Sequence, residues 1–339
     1  MSIQALADSL GLSISTVSRS LNGYTDVSAA TRARVIAAAD AMHYKPHPVA
    51  HRLATGRTGA VALLFSARVG NRQESTLASL MSGVTEEMLR HQFFTMAVGL
   101  IIGDQELFEL DRFITGRLVD GVMLVRPYTN DPRVAMLQER KVPLVTYGRT
   151  LDNTPHAWVD VDNVAAYVQA TNHLISLGHR RIALLTGPKT MTFTTQREQG
   201  FLQALQAAGI SPEHCPIVST DLTSQSGAMA AHHLLTANPR PSAILGVIDA
   251  LALGASQAAS KLGLQVGSDV SVMGFGNIDA GEFCHPPLAT IDHGIVDSGR
   301  LLARTLLEVM QGAPVHTLQH LEKSKLLIRE SVGPFISQV

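Results

Sequence analysis

From Ala60 onward, short apolar runs alternate with longer stretches whose apolar positions recur every three or four residues. VALLF (61–65) precedes a helical period over 77–90, FFTMAV (93–98) one over 106–114, and GVMLV (121–125) one over 132–140, before PLVTY (143–147) closes the set. The rhythm resumes with helical periods over 163–177, 195–208, 226–236, 250–262 and 296–311, interleaved with RIALLT (181–186), CPIVS (215–219), SAILGVI (242–248) and VSVMGF (270–275). Strands this uniformly apolar, separated by helices, belong to parallel sheets buried on both faces and joined by right-handed crossovers. They are too many for one comfortable sheet, and the pattern breaks over 148–162. The expected class is therefore α/β, with two doubly wound parallel-sheet subdomains and a cleft between them. Ligands of such folds sit beyond the carboxyl ends of the strands.

The first 45 residues follow a different pattern, with helical periods, serine caps and glycine turns. Ser2 is placed to cap a helix whose Ile3, Leu6, Ala7 and Leu10 fall on one face, and Gly11 permits the positive φ of a sharp turn. Ser13 caps a second helix with Val17 and Leu21 inward and Asn22-Gly23 at its end. A third, over 29–42 and capped by Ser28, buries Val35, Ala38 and Met42. The outward face of the second helix is Ile14, Ser15, Thr16, Ser18, Arg19 and Ser20, short, mostly polar and free of acid. A helix entering a major groove needs small hydroxyls for phosphate and base edges, and an arginine able to fork onto guanine. Local capping is the competing explanation for the hydroxyls. Residues 46–59 (PHPVAHRLATGRTG) form a basic linker, opened by proline and ended by glycine, with room for one or two helical turns.

Charge supports this division. Residues 1–59 carry a net +3 and the remainder a net −4, although the whole chain is only −1. A basic module on an acidic body is the asymmetry expected when one end meets phosphate. Cys215 and Cys284 supply neither a disulfide framework nor metal-ligand spacing, as in a reducing compartment. No secretory signal precedes the body and no run approaches a membrane span, so the expected location is cytoplasmic, with no membrane partner. No metal and no cofactor is implied.

The residues also carry a resemblance. Thr16-Val17-Ser18-Arg19, Leu21-Asn22-Gly23, Val27-Ser28, Thr31-Arg32-Ala33-Arg34-Val35, Tyr44-Lys45-Pro46 and Leu53-Ala54-Thr55-Gly56-Arg57-Thr58 stand in the order of the LacI family of bacterial regulators. Leu177-Gly178-His179-Arg180-Arg181-Ile182-Ala183, Arg197, Gly200-Phe201 and Pro286-Pro287-Leu288-Ala289-Thr290-Ile291 extend it over essentially the whole chain. The wording is similar to regulators of α-glucoside utilisation. The resemblance implies an all-α helix-turn-helix headpiece (1–45), a hinge (46–59) and a two-lobed, periplasmic-binding-protein-like effector and dimerisation domain (60–339). It places Ile14, Ser15 and Arg19 as base readers, with Ser13, Thr16, Ser18 and Asn22 on phosphate. Ile14 could also touch a thymine methyl.

The hinge, with Pro48 at a first-turn position, is too short to be a stable helix alone and should order when two copies meet on DNA. Leu53 would then wedge into the minor groove, with Arg52 and Arg57 near phosphate. Leu53→Ala should weaken operator affinity and spare effector binding; unchanged operator affinity would remove the wedge role. His47 and Pro48 replace the family's usual Asn and Ala, which puts the asparagine contact in doubt.

In the cleft, the resemblance makes Arg197 the clamp on ligand hydroxyls or carboxylates, which suits a planar five-donor group. Phe193, four residues earlier, offers a ring face to a sugar or packs in the core. Asp249 would accept hydroxyls or cap its helix; Asn277 follows, with Tyr147 and Leu222 on the cleft wall. Ile248 and Gly276 stand where the family usually has an amide and an acid. With no cluster of basic residues evident in the cleft, a sugar is the expected effector. The implied function is a DNA-binding transcriptional regulator, in most relatives a repressor released by inducer, acting as a homodimer on a pseudo-palindromic operator. The alternatives are a sugar-binding protein or a cleft enzyme without a regulatory role. The chain lacks a phosphate-binding loop, a G-x-S-x-G elbow, H-E-x-x-H and C-x-x-C, so an enzyme is not expected.

Overall fold

Three serines start the three N-terminal helices, as their short side chains are suited to do. In the computed structural model the hydroxyls of Ser2, Ser13 and Ser28 accept from the amides of Ala5, Thr16 and Thr31 at 3.3, 3.1 and 3.1 Å. The structure describes residues 2–24, 26–44, 57–67, 75–152 and 154–335. The helices are α1 (Ile3–Leu10), α2 (Ile14–Leu21) and α3 (Ala29–Ala41). Gly11 ends α1 at φ 62°, a left-handed turn that a Cβ would strain. Leu6, Ala7, Val17, Val35 and Ala39 form the buried centre, with Ile3, Leu10, Leu21, Ala38 and Met42 packed around it. One expectation changes here: Ser20 is buried rather than outward, because three residues beyond Val17 it shares that residue's face. Its hydroxyl donates back to the Thr16 carbonyl at 2.7 Å.

The chain divides into two units, Met1–Ala60 with Ile114–Asp120, and Val61–Phe113 with Gly121–Val339. In the first, the amides of Thr58 and Gly59 donate to the Asp120 carboxylate at 2.7 and 2.8 Å.

The second unit holds two six-stranded sheets. The first contains β1 (Ala60–Ala67), β2 (Phe94–Ile101), β3 (Gly121–Val125), β4 (Leu144–Tyr147), β5 (Ala157–Val161) and β11 (Gln319–Glu322), in the order 11-5-4-3-1-2. The other contains β6 (Ile182–Thr186), β7 (Ile217–Ser219), β8 (Ala243–Gly246), β9 (Ser271–Phe275), β10 (Ala289–Asp292) and β12 (Lys325–Leu327), in the order 12-10-9-8-6-7. Every residue of β3, β6, β8 and β9 is buried, as their unbroken apolar runs require. The β12–β10 pair is antiparallel.

Two features depart from the sequence reading. The break over 148–162 contains a strand, β5, paired with β4. The helix α12 (Ile295–Met310) packs on the first sheet rather than the second, its Leu302, Ala303 and Leu306 joining Val61, Met123 and Val145 in one core. The chain therefore passes between the sheets three times, after β5, after β10 and between β11 and β12.

Helix α12 meets α4 (Ser75–Arg90) at glycines. A Cβ on Gly83 would collide with the Val296 carbonyl, and one on Gly299 with that of Leu80. Gly83→Ala is expected to cost about 1–3 kcal/mol through overpacking. An unchanged denaturation midpoint would mean that the two helices move apart without penalty.

Candidate functional site

The second helix of the headpiece presents Ser13, Ile14, Ser15 and Arg19 exposed, with Thr16 and Ser18 partly so. The hydroxyls of Ser15 and Thr16 each lie 2.8 Å from that of Ser13, a polar cluster at the helix start where amides also point outward. Ile14 stands 42% exposed, which nothing in the packing of this unit requires. Arg19 forms an ion pair with Asp26, and its guanidinium lies 5.4 Å from the centre of the Tyr24 ring. Asn22 ends the helix and donates to the Ser18 carbonyl at 2.8 Å. Arg57 is exposed, while Arg52 and Leu53 lie outside the described residues with the rest of 45–56.

Within the two-lobed unit a cleft lies between the carboxyl ends of the two sheets. Helix α8 (Thr192–Ala207) brings Thr192, Phe193, Gln196 and Arg197 into it. Arg197 is 6% exposed. Its Nε donates to Asn163 Oδ1 at 2.8 Å, Nη1 donates to the Val247 carbonyl, and the guanidinium lies 3.4 Å from the centre of Phe275 and 4.8 Å from that of Phe193. Burial holds its pKa down to about 10. Asn163 donates to Gln196 Oε1 at 3.0 Å and to Asp160 Oδ1 at 3.2 Å, so these amides fix the arginine from behind.

From the other lobe come Arg126, Tyr147, Arg149 and Asp160. Arg149 Nε lies 3.0 Å from Asp160 Oδ2, an ion-pair distance without the alignment of a hydrogen bond. Burial raises the Asp160 pKa to about 6 against the pull of Arg149. Thr192 Oγ1 is likewise buried without a hydrogen-bond partner. Orphaned polar atoms at the edge of a cavity are places where a ligand would supply the missing partner. Across the cleft mouth the lobes touch through their backbones, where the Thr129 amide donates to the Thr190 carbonyl at 2.8 Å and Tyr128 bridges Met191.

Residues 2–47 match the model of bacterial regulatory proteins of the lacI family, and residues 171–332 match that of a periplasmic binding protein-like domain. The chain is 32% identical to the HTH-type transcriptional regulator AglR of Rhizobium meliloti (strain 1021), over 98% of its own length and 95% of that protein. The chain belongs to the LacI family of bacterial regulatory proteins. It is thus a DNA-binding transcriptional regulator and not an enzyme. Among solved structures, the CelR–cellobiose complex matches with a TM-score of 0.75 at 31% identity, covering 98% of this chain and 99% of that one. The lac repressor dimer bound to operator and the anti-inducer ONPF matches with a TM-score of 0.81, and at 24% identity it speaks to the fold.

Against this LacI-family body, the sequence-derived cleft residues separate into two groups. Phe193, Arg197 and Tyr147 line the cleft. Asp249 does not, nor does it cap its helix; its two oxygens accept from Thr290 Oγ1 at 2.6 Å and the Ile278 amide at 2.9 Å. It holds the loop after β9 in place. Asn277 Oδ1 accepts from Arg329 at 2.8 Å, and Leu222 belongs to the second lobe's core. Asp160, Asn163, Gln196, Arg126, Arg149 and His293 escaped sequence reading because five separate segments supply them. The expected lack of basic residues is also corrected: Arg126, Arg149 and Arg197 all face the cleft, brought there from separate segments, the first two just beyond the ends of the neighbouring strands β3 and β4.

His293 Nδ1 lies 3.2 Å from the Tyr147 hydroxyl, and the ring stacks on Phe275 with centres 5.0 Å apart. Burial, then the charge of Arg197, pulls its pKa from 6.5 down to about 4. The folded state therefore resists protonating this ring. The stability it contributes is complete above pH 6.5 and falls by on the order of 3 kcal/mol as pH drops through 4. Asp160, raised to about 6, acts in the opposite sense and favours the folded state as it becomes protonated below that pH. Thermal melts of His293→Gln should lose less stability between pH 6.5 and 4.5 than those of the parent. Equal losses would show that this ring does not control acid stability.

Proposed function

We propose that the chain is a sugar-responsive repressor that acts in the cytoplasm as a homodimer on a pseudo-palindromic operator. The observation that carries the effector half is Arg197, held between Phe275 and Phe193 in the cleft, with buried oxygens of Thr192 and Asp160 that lack a hydrogen-bond donor beside it. Aromatic faces pack the apolar faces of a pyranose, and fixed donors and acceptors read its hydroxyls. The likeness to the CelR–cellobiose complex supports a saccharide. Ligand held by both lobes would favour the closed cleft and bias the adjoining hinges, releasing DNA.

In the DNA half, residues 1–45 form the headpiece, 46–59 the hinge and 60–339 the effector and dimerisation domain. Ile14, Ser15 and Arg19 read base edges, Ser13, Thr16, Ser18 and Asn22 bind phosphate, and Leu53 is the minor-groove wedge between Arg52 and Arg57. Dimerisation accords with the apolar side chains left exposed on the body, among them Phe94 at 71% and Met229 at 68%. Selecting bound sequences from random DNA, with and without a panel of mono- and disaccharides, tests both halves together. A two-fold-symmetric consensus lost on adding one sugar is expected. A consensus indifferent to every sugar but lost with a purine or an amino acid would overturn the effector reading.

A further inference from the structure

Two fixed segments meet at the cleft mouth. In the first lobe, Pro127, Tyr128 and Thr129 run from the end of β3 towards α6 (Pro132–Glu139). Asp131, itself buried, caps that helix and accepts from the Tyr128 amide at 2.9 Å. The same carboxylate accepts from Nε and Nη2 of the fully buried Arg133, at 2.9 and 2.6 Å. Arg133 Nη1 donates to Glu106 Oε1 at 3.0 Å and to the Ser66 hydroxyl, and the guanidinium lies 4.1 Å from the centre of the Tyr128 ring. The Tyr128 hydroxyl donates in turn to Glu106 Oε2 at 3.1 Å. A buried charge network is a poor source of net stability; here it fixes Tyr128 at its amide, its ring and its hydroxyl. In the second lobe, Pro188 to Met191 lead into α8, and the buried Thr194 hydroxyl is shared between the carbonyls of Pro188 and Met191 at 2.7 and 2.8 Å. That segment is thereby tied to the first turn of the helix that carries Phe193 and Arg197. Where the two meet they pair as antiparallel strands, the Thr129 amide on the Thr190 carbonyl at 2.8 Å and the Thr192 amide towards the Pro127 carbonyl at 3.5 Å. Pairing across a cleft is favourable only when both edges are already held in place, since ordering two free loops costs entropy.

We propose that this pairing is the latch of the effector switch, holding the cleft shut in the state that releases DNA, and that Arg133 is the positioning residue that sets its first-lobe half. This rests on the reading of the cleft as the site of an effector whose binding releases the operator. An effector held by Arg197 and Phe193 and the latch at Thr190 act on the same helix, so closure by either one favours closure by the other. The latch is made of backbone atoms, so it responds to where the two segments stand and not to the chemistry of the effector. Arg133 touches neither DNA nor the cleft lining, yet through Asp131 and Tyr128 it decides whether the Thr129 amide stands where Thr190 can accept from it.

The test is to close the latch covalently. Thr129 and Thr190 stand opposite each other, where antiparallel Cα atoms lie about 5.5 Å apart, within reach of a disulfide. In the full chain carrying Thr129→Cys and Thr190→Cys, oxidised glutathione should join the two residues, and peptide mapping separates this bridge from any that involves Cys215 or Cys284. With no effector added, the joined form is expected to bind the operator recovered by selection from random DNA about tenfold or more weakly than its own reduced form, and dithiothreitol should restore binding. Adding Arg133→Lys to the pair should slow the joining about fivefold or more, because an ammonium cannot hold Asp131, Glu106 and the Tyr128 ring at once. A lysine that only destabilised the fold would lower the melting temperature and leave the joining rate, measured well below it, unchanged. The inference is overturned if the thiols do not join, if the joined form binds operator as the reduced form does, or if Arg133→Lys leaves the joining rate as it was. Equal binding by joined and reduced forms, with the reduced form still released by a mono- or disaccharide, removes the latch and leaves the effector reading standing. Tighter operator binding by the joined form removes both the latch and release by effector.

Discussion

An Arg197→Met variant is expected to bind operator DNA like the parent chain and to lose its response to effector. The side chain is 6% exposed, and its hydrogen bonds to Asn163 and Val247 and its ring contacts all lie within the two-lobed unit, outside the headpiece. Methionine fills most of the volume and keeps an apolar body against Phe275. It removes the donors that would meet the ligand, each worth about 1.5–3 kcal/mol when charged. Losing two such bonds would weaken effector binding by two orders of magnitude or more. Asn163 Oδ1 and the Val247 carbonyl also lose their donor, at about 1–3 kcal/mol each, so a lower melting temperature should accompany the lost response. Fluorescence anisotropy on labelled operator, with and without effector, separates the two effects. A variant still released by effector at parental concentrations would show that Arg197 only braces the wall. Arg197→Lys should behave like the methionine variant, because an ammonium cannot span Asn163 and Val247 while lying flat on Phe275.

The second large effect is expected at Arg19. Removing it in Arg19→Met should cost about 1–3 kcal/mol of discrimination at one operator position, the range for a bidentate guanine contact. Affinity for unrelated DNA should change far less. In the free protein its guanidinium pairs with Asp26 and approaches Tyr24, so entering the groove requires exchanging that partner for a base edge. Asp26→Asn should correspondingly strengthen binding to all sequences, since it removes a negative charge beside the phosphate-facing surface. Competition assays with single-base operator variants report the outcome. If Arg19→Met weakens every sequence equally, the residue grips phosphate instead.

The headpiece and the cleft differ in how far they could be read in advance. Caps at Ser2, Ser13 and Ser28, the turn at Gly11 and the inward Val17 are local matters, set by i to i+3 and i+4 geometry within one helix. The one slip in that helix, Ser20, came from judging a hydroxyl by its polarity rather than by its angle about the axis. Arg197 was reached through the family resemblance, Phe193 by standing four residues before it and Tyr147 as a residue of the cleft wall, and all three line the cleft. Asp249, beyond a strand's carboxyl end, turns inward instead, because Thr290 on a neighbouring strand offers it a hydroxyl at 2.6 Å.

What the sequence by itself determined is therefore most of the elements and the outward face of the second headpiece helix. Apolar runs of four to six residues become strands, buried in the sheet centres but largely exposed at an edge such as β2, and a helix with Ile14, Ser15 and Arg19 outward presents them wherever it is placed. Only the tertiary structure decided which sheet α12 covers, and that β5 fills the apparent break. It also decided that Arg126 and Arg197 meet at one ring. Those outcomes depend on pairings between residues tens of positions apart, and hydrophobic burial says only that a face must be covered, not by which partner. The arginines of the cleft were invisible for the same reason, since separate segments bring them together.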